Sequence, residues 1–198
     1  MNKKNYNIEK LFEDNDGWLT LREASEHGFS KYDFYSFAEE KGLERVGLGV
    51  YASSDAWHDA MYLIHLRSEQ VIFSHETALF LHDLTDREPM VYSVTVKTGY
   101  NPHRLKEDGI KVYTIKGELH QLGLSQEETP FGHLVPVYDQ ERTLCDILRS
   151  RKNVDKQILQ DALKSYSKRK DKNIRKLMSY AETFRVKNVL KPYMEVLL

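Results

Sequence analysis

The chain has a single cysteine, Cys145, among 198 residues, so an internal disulfide is excluded and nothing marks a cross-linked secreted domain. Proline (5) and glycine (10) are sparse, and no Pro-rich or Gly/Ser-rich linker is present. Any two parts must therefore be joined by a short or helical connection. Long apolar runs are missing too: patches such as VLKPYMEVLL are broken by polar residues and fall short of the roughly 18 residues that a spanning helix needs, so membrane embedding is not expected. MNKKNYNIEK lacks the apolar stretch of a secretory signal, and the expected location is the cytoplasm. Charge of one sign is also lacking. With 29 Lys+Arg against 30 Asp+Glu, the net charge of −1 excludes a polybasic binder that works by bulk charge.

What is present is a chain that is 40% hydrophobic and 30% charged, enough for one comfortable domain or two small ones. The neutral total hides a polarised distribution. Residues 1–55 carry 7 basic against 11 acidic side chains, residues 56–150 carry 9 against 14, and residues 151–198 carry 13 against 5. A shift of that size marks a change of role along the chain. The best candidate for a junction is Ser53 to Trp57, where Ser54 or Asp55 is placed to cap a helix bearing Ala56, Ala60, Leu63 and Ile64. The expected domains are residues 1–55 and 56–198.

In the first part, Ile8, Leu11 and Phe12 predict a short helix that ends in the turn formers Asn15 to Gly17. Thr20 with Glu23 forms the capping-box pattern of a second helix running to about His27. Gly28 suits the left-handed turn after it, and Ser30 caps a third helix with Phe34, Phe37 and Ala38 on its apolar side. LERV and VYA then flank Gly47–Gly49 as a predicted hairpin. Helix, helix-turn-helix and hairpin in that order predict a winged helix-turn-helix, whose third helix enters the major groove of double-stranded DNA. Its outward residues are Lys31, Tyr32, Tyr35, Ser36 and Glu39, with Arg45 and the wing within reach of the backbone. Asp33, Glu39 and Glu40 share the helix with only Lys31 and Lys41 for cations. A winged domain used for protein contacts is the competing reading.

The middle reads as α+β. VIF and Ser74 lead into HETALFLHDL as a short buried strand and a capped helix, while VYSVTVKTG, IKVYTIKG and GHLVPVYD alternate as strands. His75 and His82 lie two helical turns apart without further ligands at a recognised spacing, so packing or capping is expected of them and no metal. From Asp139 the pattern predicts three or four closing helices, a C-terminal helical bundle. Lys168, Arg169, Lys170, Lys172, Arg175 and Lys176 fall at a junction between two of them. They read as a solvated corner or as the best phosphate-binding patch in the chain.

Signs of catalysis are few. Cys145 sits between Leu144 and Asp146 in an amphipathic helix, the place of an apolar filler and not of a thiolate. VGLGVY lacks the third glycine of a dinucleotide fingerprint and lies in a hairpin, and no G-x-S-x-G or phosphate-loop motif occurs. Glu107, Asp108 and Lys111 lack the further acidic strand residue that a metal-dependent nuclease needs. Neither an enzyme nor a cofactor is expected.

Three segments carry a family resemblance. GWLTLREASEHGFSKYDFYSFAEEKGLERVGLGVYA, IFSHETALFLHDLTDREPMVYSVTV and VYDQERTLCDIL are similar, in this order and spacing, to segments of the AbiEi antitoxins, and span most of the chain from Gly17 to about Leu148. The resemblance implies an antitoxin of a type IV toxin–antitoxin pair, the abortive-infection systems that act against phage. Its winged domain would repress the operon by binding inverted repeats in the promoter. The C-terminal domain would counteract a nucleotidyltransferase-like toxin without a stable complex. Thr20, Arg22, Ser30, Lys31, Tyr32, Tyr35 and Arg45 fall on the family's DNA-reading helix and wing. Many members carry more Arg and Lys there, where this chain has Asp33, Glu39, Glu40 and Leu48. The competing class is an ordinary winged-helix transcription regulator whose C-terminal domain binds a ligand or partner.

Overall fold

The computed structural model describes residues 7–56 and 59–197. They form an α+β protein with two sheets. The first elements are α1 (Ile8–Asp14), β1 (Trp18–Thr20), α2 (Leu21–Glu26), α3 (Lys31–Glu40), β2 (Glu44–Gly47) and β3 (Val50–Ala52). Local chemistry sets most of these boundaries. Asn7 caps α1 by accepting from the Lys10 amide at 2.7 Å. Thr20 Oγ1 accepts from the Glu23 amide and donates to Glu23 Oε2, so the carboxylate returns to the cap's hydroxyl and not to its backbone. The reciprocal box forms instead at α3, between Ser30 and Asp33. Gly28, at φ +87°, makes the left-handed turn between α2 and α3, a conformation that a Cβ would strain.

The three strands form an antiparallel sheet in the order β1-β3-β2. Beneath it Leu11, Leu19, Ala24, Phe34 and Phe37 form one apolar cluster. Full burial of a phenylalanine such as Phe34 contributes about 1.5–3 kcal/mol. A second cluster brings in α4 (Ala60–Arg67), whose Tyr62, Leu63 and Leu66 pack against Trp18, Val50 and Ala52. That packing moves the boundary. The chain divides into two compact units between Glu69 and Gln70, later than the expected break at residue 55. The cap of α4 is Asp59, which accepts from the Tyr62 amide at 3.0 Å, and neither Ser54 nor Asp55. Trp57, at the end of the expected junction, lies outside the described residues.

The second unit contains β4 (Ile72–Phe73), α5 (His75–Leu81), β5 (Ser93–Lys97), α6 (His103–Glu107), β6 (Lys111–Ile115), α7 (Gly117–His120), β7 (Leu124–Glu128) and β8 (Leu134–Tyr138). Four helices follow: α8 (Gln140–Arg149), α9 (Lys156–Lys168), α10 (Ile174–Thr183) and α11 (Lys187–Leu197). The mixed sheet runs β6-β5-β4-β8-β7, with β5 parallel to β6 and β4 parallel to β8. Ser74 stands at the N-cap of α5 but makes no side-chain cap bond, because its hydroxyl accepts from Thr95 instead.

The centre of this unit is α8. Leu144, Ile147 and Leu148 join Leu159, Leu163, Leu177 and Leu190 of the following helices in one core. Cys145 fills space among them, and burial pushes its thiol up to about 12, leaving it protonated and inert. Arg142 is also fully buried. Its Nε donates to Asp146 Oδ2 at 2.8 Å, its Nη1 donates to the carbonyls of Leu119 and Leu122, and its guanidinium lies about 4 Å from the ring centroids of Tyr138 and Phe184. Gly123 must stay a glycine beside it. At φ +79° a Cβ there would stand 2.7 Å from Arg142 Cβ.

Candidate nucleic-acid interface

The periodicity of α3 separates two faces. Phe34, Phe37 and Ala38 are buried, while Lys31, Tyr32, Tyr35 and Ser36 are exposed. Tyr32 keeps 79% of its surface in water and Tyr35 keeps 48%, unusual for large aromatic side chains that serve only packing. Tyr35 is held by edge contacts with Phe34 and Tyr51, whereas Tyr32 stands clear at the first turn. Lys31 forms no ion pair among the described residues, in contrast to Lys41, which Glu9 engages at 2.6 Å. Asp33 does not face outward as a free anion. Hydrogen bonds from the Ser30 hydroxyl and amide hold its carboxyl below the usual range and fold it back onto the cap. The carboxylate stays ionised at the end of α3 that carries Lys31 and Tyr32, directed onto the helix cap.

Four of the sequence-predicted residues, Thr20, Arg22, Lys31 and Tyr35, line one groove of about 540 Å³ together with Leu48 and Arg67. Their availability differs. Thr20 is buried with its hydroxyl engaged in the α2 cap, and the Ser30 hydroxyl serves the α3 cap, so both act by positioning helices. Arg22 is paired with Glu69 and lies 3.7 Å from Glu26. Arg45 is exposed on β2 and donates from Nε to the Gly47 carbonyl, which steadies the β2–β3 turn. Sequence reasoning missed Arg67 and Glu69. The signal available was weak, since Arg67 ends, and Glu69 follows, a helix that seemed to belong to the other domain.

The basic segment after α9 is brought together only in part. Arg169 forks onto Asp171 through Nε and Nη2, both at 2.9 Å, and gives Nη1 to the His82 carbonyl. Lys172 donates to the Arg169 carbonyl, and Lys176 pairs with Asp139 at 2.9 Å and Glu141 at 3.6 Å. Buried Glu141 also accepts from the Tyr166 hydroxyl and the Asn173 amide, so the corner is tied to α8. Lys168, Lys170 and Arg175 are the exposed cations of the set. Half of the expected patch is therefore structural.

A further cluster escaped the sequence reading. His75, Tyr113, Arg142, Asp146, Arg149 and Ser150 line a cavity of about 170 Å³ in the second unit. α8 offered little signal, since Arg142, Asp146 and Arg149 recur at i, i+4 and i+7 in a helix that also carries Gln140, Glu141 and Thr143. His82, the other histidine of the pair considered for a metal, is buried with Nε2 2.6 Å from the Tyr138 carbonyl and Nδ1 3.2 Å from Glu127. Among the described residues no group of three or more His, Cys, Asp or Glu is placed to hold a metal ion, and no helix is long and apolar enough to cross a membrane.

No family model and no curated protein matches this chain. Among solved structures, its fold is similar to that of the RV2827C protein from Mycobacterium tuberculosis, with a TM-score of 0.55 at 14% identity over 87% of this chain and 69% of that one. At that identity the likeness is one of fold alone.

Proposed function

We propose that this chain is a DNA-binding antitoxin of the AbiEi type, which represses its own operon through inverted repeats in the promoter and counteracts a nucleotidyltransferase-like toxin. In this reading the first unit is a winged helix-turn-helix: α2 and α3 form the helix pair, β2 and β3 the wing, and β1 completes the sheet. α3 enters the major groove with Lys31 and Tyr32 foremost, Tyr35 and Ser36 behind them, and Arg45 reaches phosphates beside the wing. The observation that carries the reading is the exposed face of α3, where Lys31 and Tyr32 stand clear of the core and half-exposed Tyr35 rests its edge on it, beside a groove that also holds Arg22 and Arg67. Residues 1–55 carry four more acidic than basic side chains, so recognition rests on a few placed contacts and on shape.

A plain regulator with a ligand-binding second unit is the alternative, and the cavity beside α8 favours it. One experiment separates the two. The full chain and a Lys31→Ala/Tyr32→Ala/Arg45→Ala variant are expressed beside the toxin gene and a promoter reporter. The antitoxin reading expects loss of repression with rescue from the toxin retained. Repression by the wild-type chain without any rescue would leave the regulator standing and remove the antitoxin.

A further inference from the structure

The cavity of the second unit is assembled from four elements. Thr95 and Tyr113 are register partners on the parallel strands β5 and β6. The His75 ring stacks on Tyr113 with centroids 3.4 Å apart and planes 9° from parallel. Arg142, Asp146 and Arg149 follow one another along a face of α8, and Ser150 caps that helix. His75 adopts φ +50°, a region that costs a non-glycine residue energy unless its surroundings over-determine it. Here they do: the ring is stacked, its Nδ1 lies 3.0 Å from Ser74 Oγ and its Nε2 lies 3.1 Å from Ser150 Oγ.

These contacts form a directed chain. Burial, with Lys111, Arg149 and Arg142 nearby, holds the His75 imidazole well below its usual pKa, so one ring nitrogen carries a proton and the other accepts. Thr95 donates to Ser74 Oγ at 2.8 Å. In the tautomer that carries the proton on Nε2, Ser74 gives its own hydrogen to Nδ1, Nε2–H donates to Ser150 Oγ, and the Ser150 hydroxyl hydrogen has no acceptor among the described residues.

Further donors line the same space without acceptors. Arg142 Nη2 is buried and has no hydrogen-bond partner among the described residues. Arg149 gives one bond, from Nη1 to Asp146 Oδ1 at 3.0 Å, out of its five N–H groups, and its side chain is 39% exposed. Asp146 is shared between the two guanidiniums, which leaves a surplus of one positive charge at the cavity. An uncompensated buried donor is costly, and a buried cation more so. The space exceeds what one water fills but falls below the roughly 300 Å³ at which pockets for drug-sized ligands begin. Small size, an unpaired hydroxyl donor and two planar guanidiniums describe a receptor for a compact oxyanion.

We propose that this cavity binds a phosphoryl group, either free orthophosphate or the terminal phosphate of a small ester, through Arg149, Arg142 and the Ser150 hydroxyl. Of the lining residues, Arg149 and Thr114 are exposed, which puts that side of the cavity at the surface. The site uses no residue of the DNA-reading surface and stands or falls independently of it.

The test is isothermal titration calorimetry of the full chain with inorganic phosphate and with AMP at constant ionic strength in chloride. The wild-type chain should give a saturable single-site isotherm. Arg149→Gln should weaken it by about tenfold or more, the loss of a charge-assisted contact. Arg175→Gln, the same charge change on an exposed surface of α10, should leave it unaltered. Should Arg149→Gln fail to fold, Ser150→Ala gives the same reading through the hydroxyl, with a weakening of about fivefold expected. AMP binding more tightly than phosphate assigns the site to an ester, and equal affinities assign it to the free ion; both support the proposal. Heats that do not saturate with either probe, or equal weakening by Arg149→Gln and Arg175→Gln, would overturn it.

Discussion

Arg142→Met should be among the most destabilising single changes available in the second unit. The methionine keeps most of the volume between Tyr138 and Phe184 but abolishes three charge-assisted bonds, to Asp146 at 2.8 Å and to the Leu119 and Leu122 carbonyls at 2.9 and 2.7 Å. Asp146 is 2% exposed and retains only Arg149 as a partner. Breaking a buried pair by removing one member costs about 3–5 kcal/mol, and each carbonyl left without its donor adds about 1 kcal/mol or more. These contributions overlap, so a loss of about 4–6 kcal/mol is expected, against a total stability of about 5–15 kcal/mol for an ordinary domain. Burial already pushes the Asp146 carboxyl upward despite both arginines, and losing Arg142 should push it further in the same direction. The double variant Arg142→Met/Asp146→Leu removes the charge and its partner together and should recover at least half of the loss. Urea denaturation followed by far-UV ellipticity measures both. A cost below about 1 kcal/mol for Arg142→Met, or a double variant as unstable as the single one, would refute the placement of this pair at the centre of the unit.

Two further outcomes follow from other sites. His75 is held well below its usual pKa, so the unfolded chain binds a proton there more readily than the folded one. Its contribution to stability is complete above about pH 6.5 and is lost as the pH falls below that value, by up to about 1.4 kcal/mol per pH unit. His75→Asn, which tolerates the positive φ, should flatten the slope between pH 6.5 and 5 in urea titrations; an unchanged slope would exclude His75 as its source. At the groove of the first unit, Glu69→Gln frees Arg22 from an exposed pair and should leave stability within about 0.5 kcal/mol. Affinity for duplex DNA should rise, and its salt dependence steepen by about one counterion, as read by fluorescence anisotropy; weaker binding would place Arg22 away from the DNA.

The elements legible in the sequence are those whose causes are local. α2 and α3 announce themselves through Thr20 with Glu23, Gly28, and Ser30, because a cap is a contact between residues three apart; the reciprocal partner of Ser30, Asp33, emerges only in the structure. The two faces of α3 follow from a 3.6-residue period, which is why Lys31, Tyr32, Tyr35 and Ser36 emerge where expected. β7 left little trace: LSQEE is a polar edge strand, recognisable only through its pairing with β8. α4 looked like the start of a second domain, since its partners Trp18, Val50 and Ala52 are distant in sequence. The basic corner was misjudged in part for the same reason. The partners that hold Arg169 and Lys176, namely the His82 carbonyl, Asp139 and Glu141, lie about 30 or more residues away. Arg142 could not be read as buried at all, because an arginine in an amphipathic helix ordinarily faces water.

The proposal that α3 and the adjoining hairpin turn bind DNA is tested most directly by anisotropy titrations of a promoter duplex carrying its inverted repeats, across a series of salt concentrations, with the wild-type chain and with Lys31→Ala/Arg45→Ala. The expected result is weaker binding by the variant at every salt concentration, with the slope of log K against log salt reduced in magnitude by up to about two. Equal affinities and equal slopes for the two proteins would contradict it.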